Sequence, residues 1–395
     1  MLSSFSVENY RAFARPQTIE VRPLTLFFGW NSGGKSALVR FLPLLSESLK
    51  VAGPPIWLSG EVGRRATWPE LVCKSTERAN LKFSLEWMPT EALTAAWEIG
   101  GDMEGRWQET KSLMLSDHGI QSTYSQPESE SGHWAGLTPL AEPEPKIDAS
   151  LCSLSTKLTE LASQVQWISG VRVRPPRVAT YGGGAPTTLS PDGSDAVDHL
   201  IAAKLKSSAD PMLAVMRSFF ASLGEQLDLD NPMVGGWRVL LHPTNAPQVP
   251  VNLCDTGEGY AQVLPVLIAL ARARFDGPRI ICLEQPELHL HTRAQAELAK
   301  LLVESANTAL EPRILVETHS EVLLTSVQLA IANGEIPHEK VRVYWVESRA
   351  DGTSDAIPVD FDGKGRPNKS ALIGAFDEAI QLGQALISKQ LSSLP

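Results

Sequence analysis

Cysteine is scarce in this 395-residue chain, and its four copies, Cys73, Cys152, Cys254 and Cys282, stand far apart. That spacing argues against a disulfide scaffold and against a CxxC zinc site. Basic residues are in deficit, 35 against 45 acidic ones, for a net charge of −10. Such a balance opposes loose binding to a phosphate backbone unless a local basic patch overrides it. No apolar run approaches the roughly 20 residues needed to cross a bilayer. Glu8 and Arg11 come too early for a signal peptide. No heptad lasts three repeats, so long coiled-coil arms are not expected. With 29 Gly and 28 Pro the chain is neither collagen-like nor broadly disordered. The remaining class is a cytoplasmic globular protein away from the membrane, with two or three folding units at ~100–200 residues each.

What is present is an alternation of strands and helices at both ends. Phe5 and Val7, then Ile19 and Val21, alternate with polar neighbours, and Leu24 to Phe28 is fully apolar up to Gly29. A run of that kind suits a strand covered on both faces. Helical spacing follows at Leu38, Phe41, Leu42, Leu45 and Leu49, with Pro43 expected to kink or end the helix. Residues 55–170 differ, holding seven of the ten tryptophans. Trp87, Trp97 and Trp107 recur every ten residues, as in a small meander, and 127–145 reads as an exposed loop. Residues 195–228 read as helical. From 251 onward come an apolar helix (263–273), a strand (279–283), an amphipathic helix (294–302) and strands at 314–316 and 341–346. The expected architecture is an α/β core with a long insertion.

The most specific signal is Gly29-Trp30-Asn31-Ser32-Gly33-Gly34-Lys35-Ser36, which fits G-x-x-x-x-G-K-[ST] between an apolar strand and a helix. Glycines let the backbone curl so that several N–H groups face one anion, and the helix N-terminus adds its dipole. Lys35 would bridge the β- and γ-phosphates, and the Ser36 hydroxyl would hold Mg²⁺. Such a site needs an acid at the end of another core strand, and Arg279 to Glu284 supplies one, followed by Gln285-Pro286-Glu287-Leu288-His289-Leu290-His291. Ile314-Leu315-Val316-Glu317-Thr318-His319-Ser320 brings a histidine to the same sheet edge. Asp255-Thr256-Gly257-Glu258-Gly259-Tyr260 opens a helix, a second anion-binding design.

GWNSGGKS, DTGEGYAQVLP, LEQPELHLH and ETHSE, in this order, resemble the ABC-class, AAA-type ATPases of the OLD (overcoming lysogenization defect) group, relatives of SMC and RecF heads. The opening Glu8-Asn9-Tyr10-Arg11-Ala12-Phe13 is similar to that group's N-terminal strand, and Ser169 to Arg172 and Pro191 to Ser194 to its middle segments. The tail from Val341 to Ala379 resembles that of stand-alone members without a fused Toprim nuclease. The resemblance implies an α/β P-loop NTPase of ABC-ATPase head type, a mixed central sheet flanked by helices with an inserted β-rich and helical region. The expected divisions are 1–54 (core with P-loop), 55–170 (Trp-containing insertion), 171–250 (helical subdomain), 251–345 (core, C-terminal part) and 346–395 (extension). ATP would meet Gly29, Asn31, Ser32, Gly33, Gly34, Lys35, Ser36 and Ala37 of one subunit and Gly257 and Gly259 of another. Homodimerisation, or a higher assembly, would thereby be linked to nucleotide. Ser36 and Glu284 would hold Mg²⁺, and His319 would sense the γ-phosphate. Arg11 and Arg172 are weaker candidates for nucleotide or partner contacts.

One departure bears on catalysis. The group's catalytic glutamate follows the metal-site acid, and here that position is Gln285, an amide that orients water but takes no proton. A positioned base is worth ~10²–10⁴ in rate, so slow hydrolysis or a neighbouring base, Glu287, is expected. The cluster Glu287, His289 and His291 reads more simply as the loop after the strand than as a separate metal site. Asp360-Phe361-Asp362 reads as a hairpin turning at Gly363 to Gly365, the insertion tryptophans as core. Arg172, Arg174 and Arg177 face nucleotide, nucleic acid or solvent, and the sequence leaves these open. The leading reading is an ATP-driven switch that licenses a separate nuclease or toxin in anti-phage defence. The alternatives are a RecF/SMC-like DNA-binding ATPase of repair or chromosome maintenance, and a slow-turnover nucleotide-binding scaffold.

Overall fold

The structure, a computed structural model, describes residues 1–88, 91–125, 134–139, 149–184, 187–368 and 384. Its central sheet runs in the order Val165–Ile168, Ile280–Glu284, Arg313–Glu317, Leu24–Gly29, Val341–Ser348, Ser354–Val359. The first five strands are parallel, and the last closes the sheet antiparallel. The apolar runs behave as two-sided strands should. Leu24, Leu26 and Phe28, with Ile281, Leu283, Ile314 and Val316, face one core; Phe27, Cys282 and Leu315 face the other.

The first core is closed by the helices Glu258–Ala273, Thr292–Ala306 and Glu321–Ala332, with Ala196–Lys206 and Pro211–Ser222 packed beyond them. The second is closed by Lys35–Ser48, Ala149–Gln164 and a separate six-stranded antiparallel sheet. That sheet joins Gln17–Glu20 and Ser4–Glu8 to the meander Asn80–Trp87, Leu93–Gly101, Gln108–Asp117 and Ile120–Ser125. The mixed α/β architecture is therefore as expected.

The divisions fall differently. Ser4–Glu8, grouped with the P-loop in 1–54, pairs along its whole length with Asn80–Trp87 of the insertion. Val165–Ile168, counted with the insertion, is the edge strand of the central sheet beside Ile280–Glu284. The 171–250 segment is less than one-third helical, in Ala196–Lys206 and Pro211–Ser222. Glu225–Met233 and Gly236–Pro243 form a hairpin in a four-stranded sheet with Ala179–Thr180 and Val251–Asn252. Alternating burial of Leu227 and Leu229 against Val239 and Leu241 is the strand signature that a helical reading passed over. The boundary at 345/346 cuts through Val341–Ser348, and Ser354–Val359 belongs to the central sheet.

Pro43 neither ends nor shortens its helix, which runs to Ser48. Leu42, Leu44 and Leu45 are buried around it, and that packing offsets the missing backbone hydrogen bond. Of the meander tryptophans, Trp87 and Trp97 are buried, whereas Trp107 precedes its strand and is 49% exposed. Within the expected 127–145 loop, Trp134–Ala135 pairs with Thr138–Pro139 and is anchored by Trp97 Nε1 donating to the Leu137 carbonyl at 2.8 Å. The rest of that loop, and the tail from 369 to 379, lie outside the described residues. The 360–368 hairpin forms, with Phe361 bridged to Pro367. Among the described residues no helix is long and apolar enough to cross a membrane.

A buried histidine gives this fold a pH dependence. His199 is 5% exposed, and Arg272 donates to its Nδ1 at 3.3 Å. Burial, then the Arg272 charge, push its pKa down to about 4, against a smaller opposing pull from Asp195. A depressed histidine contributes stability above its unfolded pKa of ~6.5 that is lost as pH falls toward the folded value. The full shift corresponds to about 3 kcal/mol. Thermal melts should therefore drop more between pH 7 and pH 4.5 in the native chain than in His199→Gln, and equal drops would contradict this origin.

Candidate functional site

The site lies where the parallel strands end. Gly29 closes Leu24–Gly29 with φ 143°, and a Cβ there would stand 2.2 Å from the Val346 carbonyl oxygen of the neighbouring strand. Glycine alone lets the chain leave the sheet at this point. Ser32 has φ 64° and Gly34 φ 101°. Together these turns bring the chain around to Lys35–Ser48, whose N-cap Gly34 makes no side-chain cap. The first-turn N–H groups of such a helix need an outside partner. Lys35 is 3% exposed, and its ammonium donates to the carbonyls of Gly29 (3.0 Å) and Trp30 (2.6 Å). Burial lowers its pKa, with Glu317 and Glu287 pulling the other way. Asn31 and Ser32 are exposed on the loop, Gly33 is buried beneath it, and Ala37 accepts from Tyr10 Oη at 3.2 Å.

The acids are arranged otherwise than expected. Glu284 and Glu317 are cross-strand partners at the sheet edge. Ser36 Oγ donates to Glu317 Oε1 at 2.7 Å. Glu284, expected beside Ser36, instead takes both guanidinium hydrogen bonds of Arg40 and one from Trp167 Nε1 at 2.7 Å. Each of its oxygens thus accepts at least one hydrogen bond, from Arg40 of the helix after the loop or Trp167 of the edge strand. Sequence reasoning missed Glu317, although its signal was present: Ile314-Leu315-Val316-Glu317 ends an apolar strand in an acid just as Ile281-Cys282-Leu283-Glu284 does.

Glu287 is 8% exposed, and its Oε1 accepts from Thr318 Oγ1 (2.8 Å) and from the His319 backbone N–H (2.9 Å). Its Oε2, like that of Glu317, is buried with no hydrogen-bond partner among the described residues. Burial raises the pKa of both carboxyls. His319 is half-buried, and burial and the Lys35 charge push it below the usual imidazole range, so it is neutral at pH 7. Gln285 turns through φ 42° and donates its N–H to the Glu317 carbonyl at 2.8 Å. His289 is exposed, while His291 caps Thr292–Ala306 by accepting from Arg293 N at 3.4 Å. No group of three or more His, Cys, Asp or Glu among the described residues is arranged around a metal position.

The arginines resolve into distinct tasks. Arg172, 4% exposed, donates to the carbonyls of Gln285 (2.7 Å) and Gln262 (3.0 Å), tying the loop after the strand to helix Glu258–Ala273. Burial brings its pKa down to about 10, still charged at neutral pH. Arg174 pairs with Glu258 and Arg177 with Asp255. The basic stretch is thus matched by acids on the Asp255–Glu258 loop. Arg11 donates to the Glu70 carbonyl at 2.7 Å and lines a cavity of about 450 Å³ with Arg40, Arg64 and Arg65.

Gly257 and Gly259 differ sharply. Nothing lies within 4 Å of a Cβ at Gly257, whereas one at Gly259 would stand 2.5 Å from the His289 carbonyl oxygen. Gly259 is therefore needed within the chain, and Gly257 leaves an open surface at the helix N-terminus. Gly259→Ala should cost roughly 1–3 kcal/mol of stability, the usual range for forced overpacking. Gly257→Ala should stay within about 1 kcal/mol, since only the N-cap preference changes. Denaturant midpoints of the two variants check this, and equal shifts would contradict it.

The arrangement fits a triphosphate and a divalent cation. An ammonium, a helix N-terminus with no side-chain cap, a serine hydroxyl and two buried carboxylate oxygens without partners among the described residues meet at one edge. Magnesium is commonly held by one or two carboxylates together with phosphate oxygens.

Known structures share this architecture. An Smc head bound to the C-terminal winged-helix domain of ScpA matches with TM-score 0.54 at 13% identity, over 91% of this chain and 98% of the other. The Smc head domain with an extended coiled coil from Pyrococcus furiosus, bound to the C-terminal domain of ScpA, matches with TM-score 0.51 at 11% identity, over 98% and 99%. The fold is that of an SMC-type P-loop ATPase head. The AAA ATPase domain family matches residues 193–324 of this chain, the stretch that carries Gly257, Glu284, Glu287 and His319. No curated protein matches the chain.

Proposed function

We propose that this chain binds and hydrolyses ATP with Mg²⁺, dimerises around the nucleotide, and uses that closure in the cytoplasm to control a separate effector, a nuclease or toxin, in anti-phage defence. The observation that carries the ATPase reading is the meeting of Lys35, Ser36, Glu287 and His319 where the parallel strands of the central sheet end. The effector and the defence setting are implied by the resemblance to the OLD group.

The residues divide the work. Lys35 exchanges the Gly29 and Trp30 carbonyls for phosphate oxygens, and the N–H groups from Gly34 to Ser36 would face the same anion. Magnesium, when bound, neutralises charge between phosphate oxygens, and Ser36 would hold it with a carboxylate. Glu287 holds the His319 backbone with one oxygen and has the other free to take a proton from water. Its raised pKa makes it a stronger base than an ordinary glutamate. Gln285 cannot take that proton. Neutral His319 serves as a hydrogen-bond donor or acceptor without adding charge. Gly257 presents an open helix N-terminus suited to the partner's nucleotide. Because ATP then contacts both subunits only in the closed state, its differential affinity drives closure.

Phosphate release by the native chain and by Lys35→Ala tests this reading, together with duplex DNA binding across a salt series. The expected result is turnover that Lys35→Ala abolishes, with weak duplex affinity because Arg174 and Arg177 are already paired. Tight binding that falls steeply with salt would instead favour a RecF/SMC-like role. Nucleotide binding without measurable turnover would favour the scaffold.

A further inference from the structure

We infer that Glu317, not Glu284, is the carboxylate that joins Ser36 in holding the magnesium of the bound nucleotide, while Glu284 positions Arg40 and Trp167. The inference rests on the ATP reading above and deepens it.

A serine hydroxyl has one proton and two lone pairs. Ser36 gives its proton to Glu317 Oε1 at 2.7 Å, so its lone pairs are free for a cation. Glu317 is 4% exposed, and its Oε2 has no hydrogen-bond partner among the described residues. A carboxylate buried this deeply calls for a cation or donor at its open oxygen. The two protein cations that act most strongly on it, Lys35 and Arg40, point elsewhere. Lys35 donates to the Gly29 and Trp30 carbonyls, and Arg40 is committed to Glu284.

Glu284 shows the opposite pattern. Its Oε1 accepts from Arg40 Nε and Trp167 Nε1, and its Oε2 from Arg40 Nη2. The Arg40 guanidinium also lies over the Trp167 ring, 5.9 Å from its centroid. A carboxylate held in that way, with three of its four lone-pair sites taken, ties helix Lys35–Ser48 to the central sheet and has less to offer a metal than Glu317, whose Oε2 accepts from no described residue. Glu284 and Glu317 being register partners, the metal-facing acid has moved one strand toward the P-loop.

The test measures fluorescent N-methylanthraniloyl-ATP binding, first in EDTA and then with added Mg²⁺, to the native chain, Glu317→Gln and Glu284→Gln. Glu317→Gln is isosteric and removes a buried charge, so it should fold. It is expected to keep its EDTA affinity and to lose at least tenfold of the magnesium-dependent gain. Glu284→Gln should keep that gain and melt at lower temperature. Should Glu284→Gln fail to fold, Glu317→Gln still decides. A full magnesium gain in Glu317→Gln, or its loss in Glu284→Gln alone, overturns the assignment. A native chain that binds no nucleotide in either condition overturns the ATP reading itself.

Discussion

Replacing Glu287 with Gln is expected to slow ATP turnover by about 10²–10⁴-fold while changing nucleotide affinity little. Gln285 directly follows Glu284, and an amide has no basic lone pair for a water proton. Glu287 is the buried carboxylate with one oxygen anchored, on Thr318 and the His319 N–H, and one without a partner among the described residues. The amide of Glu287→Gln can still accept both anchoring hydrogen bonds, so the loss should appear in kcat. Burial holds the Glu287 carboxyl above the ordinary glutamate range. A base must be ionised, so activity should rise with pH through a value above ~4.5. Phosphate-release kinetics alongside nucleotide binding check both statements. Undiminished turnover in Glu287→Gln would contradict this role, and a hundredfold gain in Gln285→Glu would place the missing base at 285.

Gly29→Ala should cost about 3–5 kcal/mol, the sum of a strained backbone and a backbone clash. The added Cβ would stand 2.2 Å from the Val346 carbonyl oxygen, in a residue whose φ of 143° L side chains rarely adopt. Val346 lies on a strand hydrogen-bonded to Leu24–Gly29, so it cannot move without breaking the central sheet. The P-loop glycine thus serves the fold as much as the anion cradle. Chemical denaturation of the variant measures the effect, and a loss under 1 kcal/mol would show that the sheet yields at this point.

The central sheet was legible because its strands are apolar on both faces. Leu24 to Phe28, Ile280 to Leu283 and Ile314 to Val316 announce strands covered on two sides, and the P-loop spacing fixes one sheet end. The divisions were less legible, because the pairing of Ser4–Glu8 with Asn80–Trp87 joins residues about eighty apart and leaves no local trace. The Glu225–Pro243 hairpin was hidden by the helices before it, with only alternate burial to mark it. At the site, motif order located Lys35, Ser36, Glu287 and His319 on one edge. It could not show which of two acid-terminated strands offers its carboxylate to Ser36. That choice is made by Arg40 and Trp167, from the P-loop helix and the sheet's edge strand, which engage Glu284 first.

Closure of two heads around nucleotide is most directly measured as mass in solution, by light scattering of the native chain and of Lys35→Ala, each with and without Mg-ATP. Loss of the Lys35 ammonium should weaken ATP binding by about 10–100-fold, the range for a charged hydrogen bond. The expected result is a doubling of mass with Mg-ATP in the native chain and none in Lys35→Ala at the same concentration. A mass that ATP leaves unchanged in the native chain, or changes equally in both, would contradict closure around a shared nucleotide.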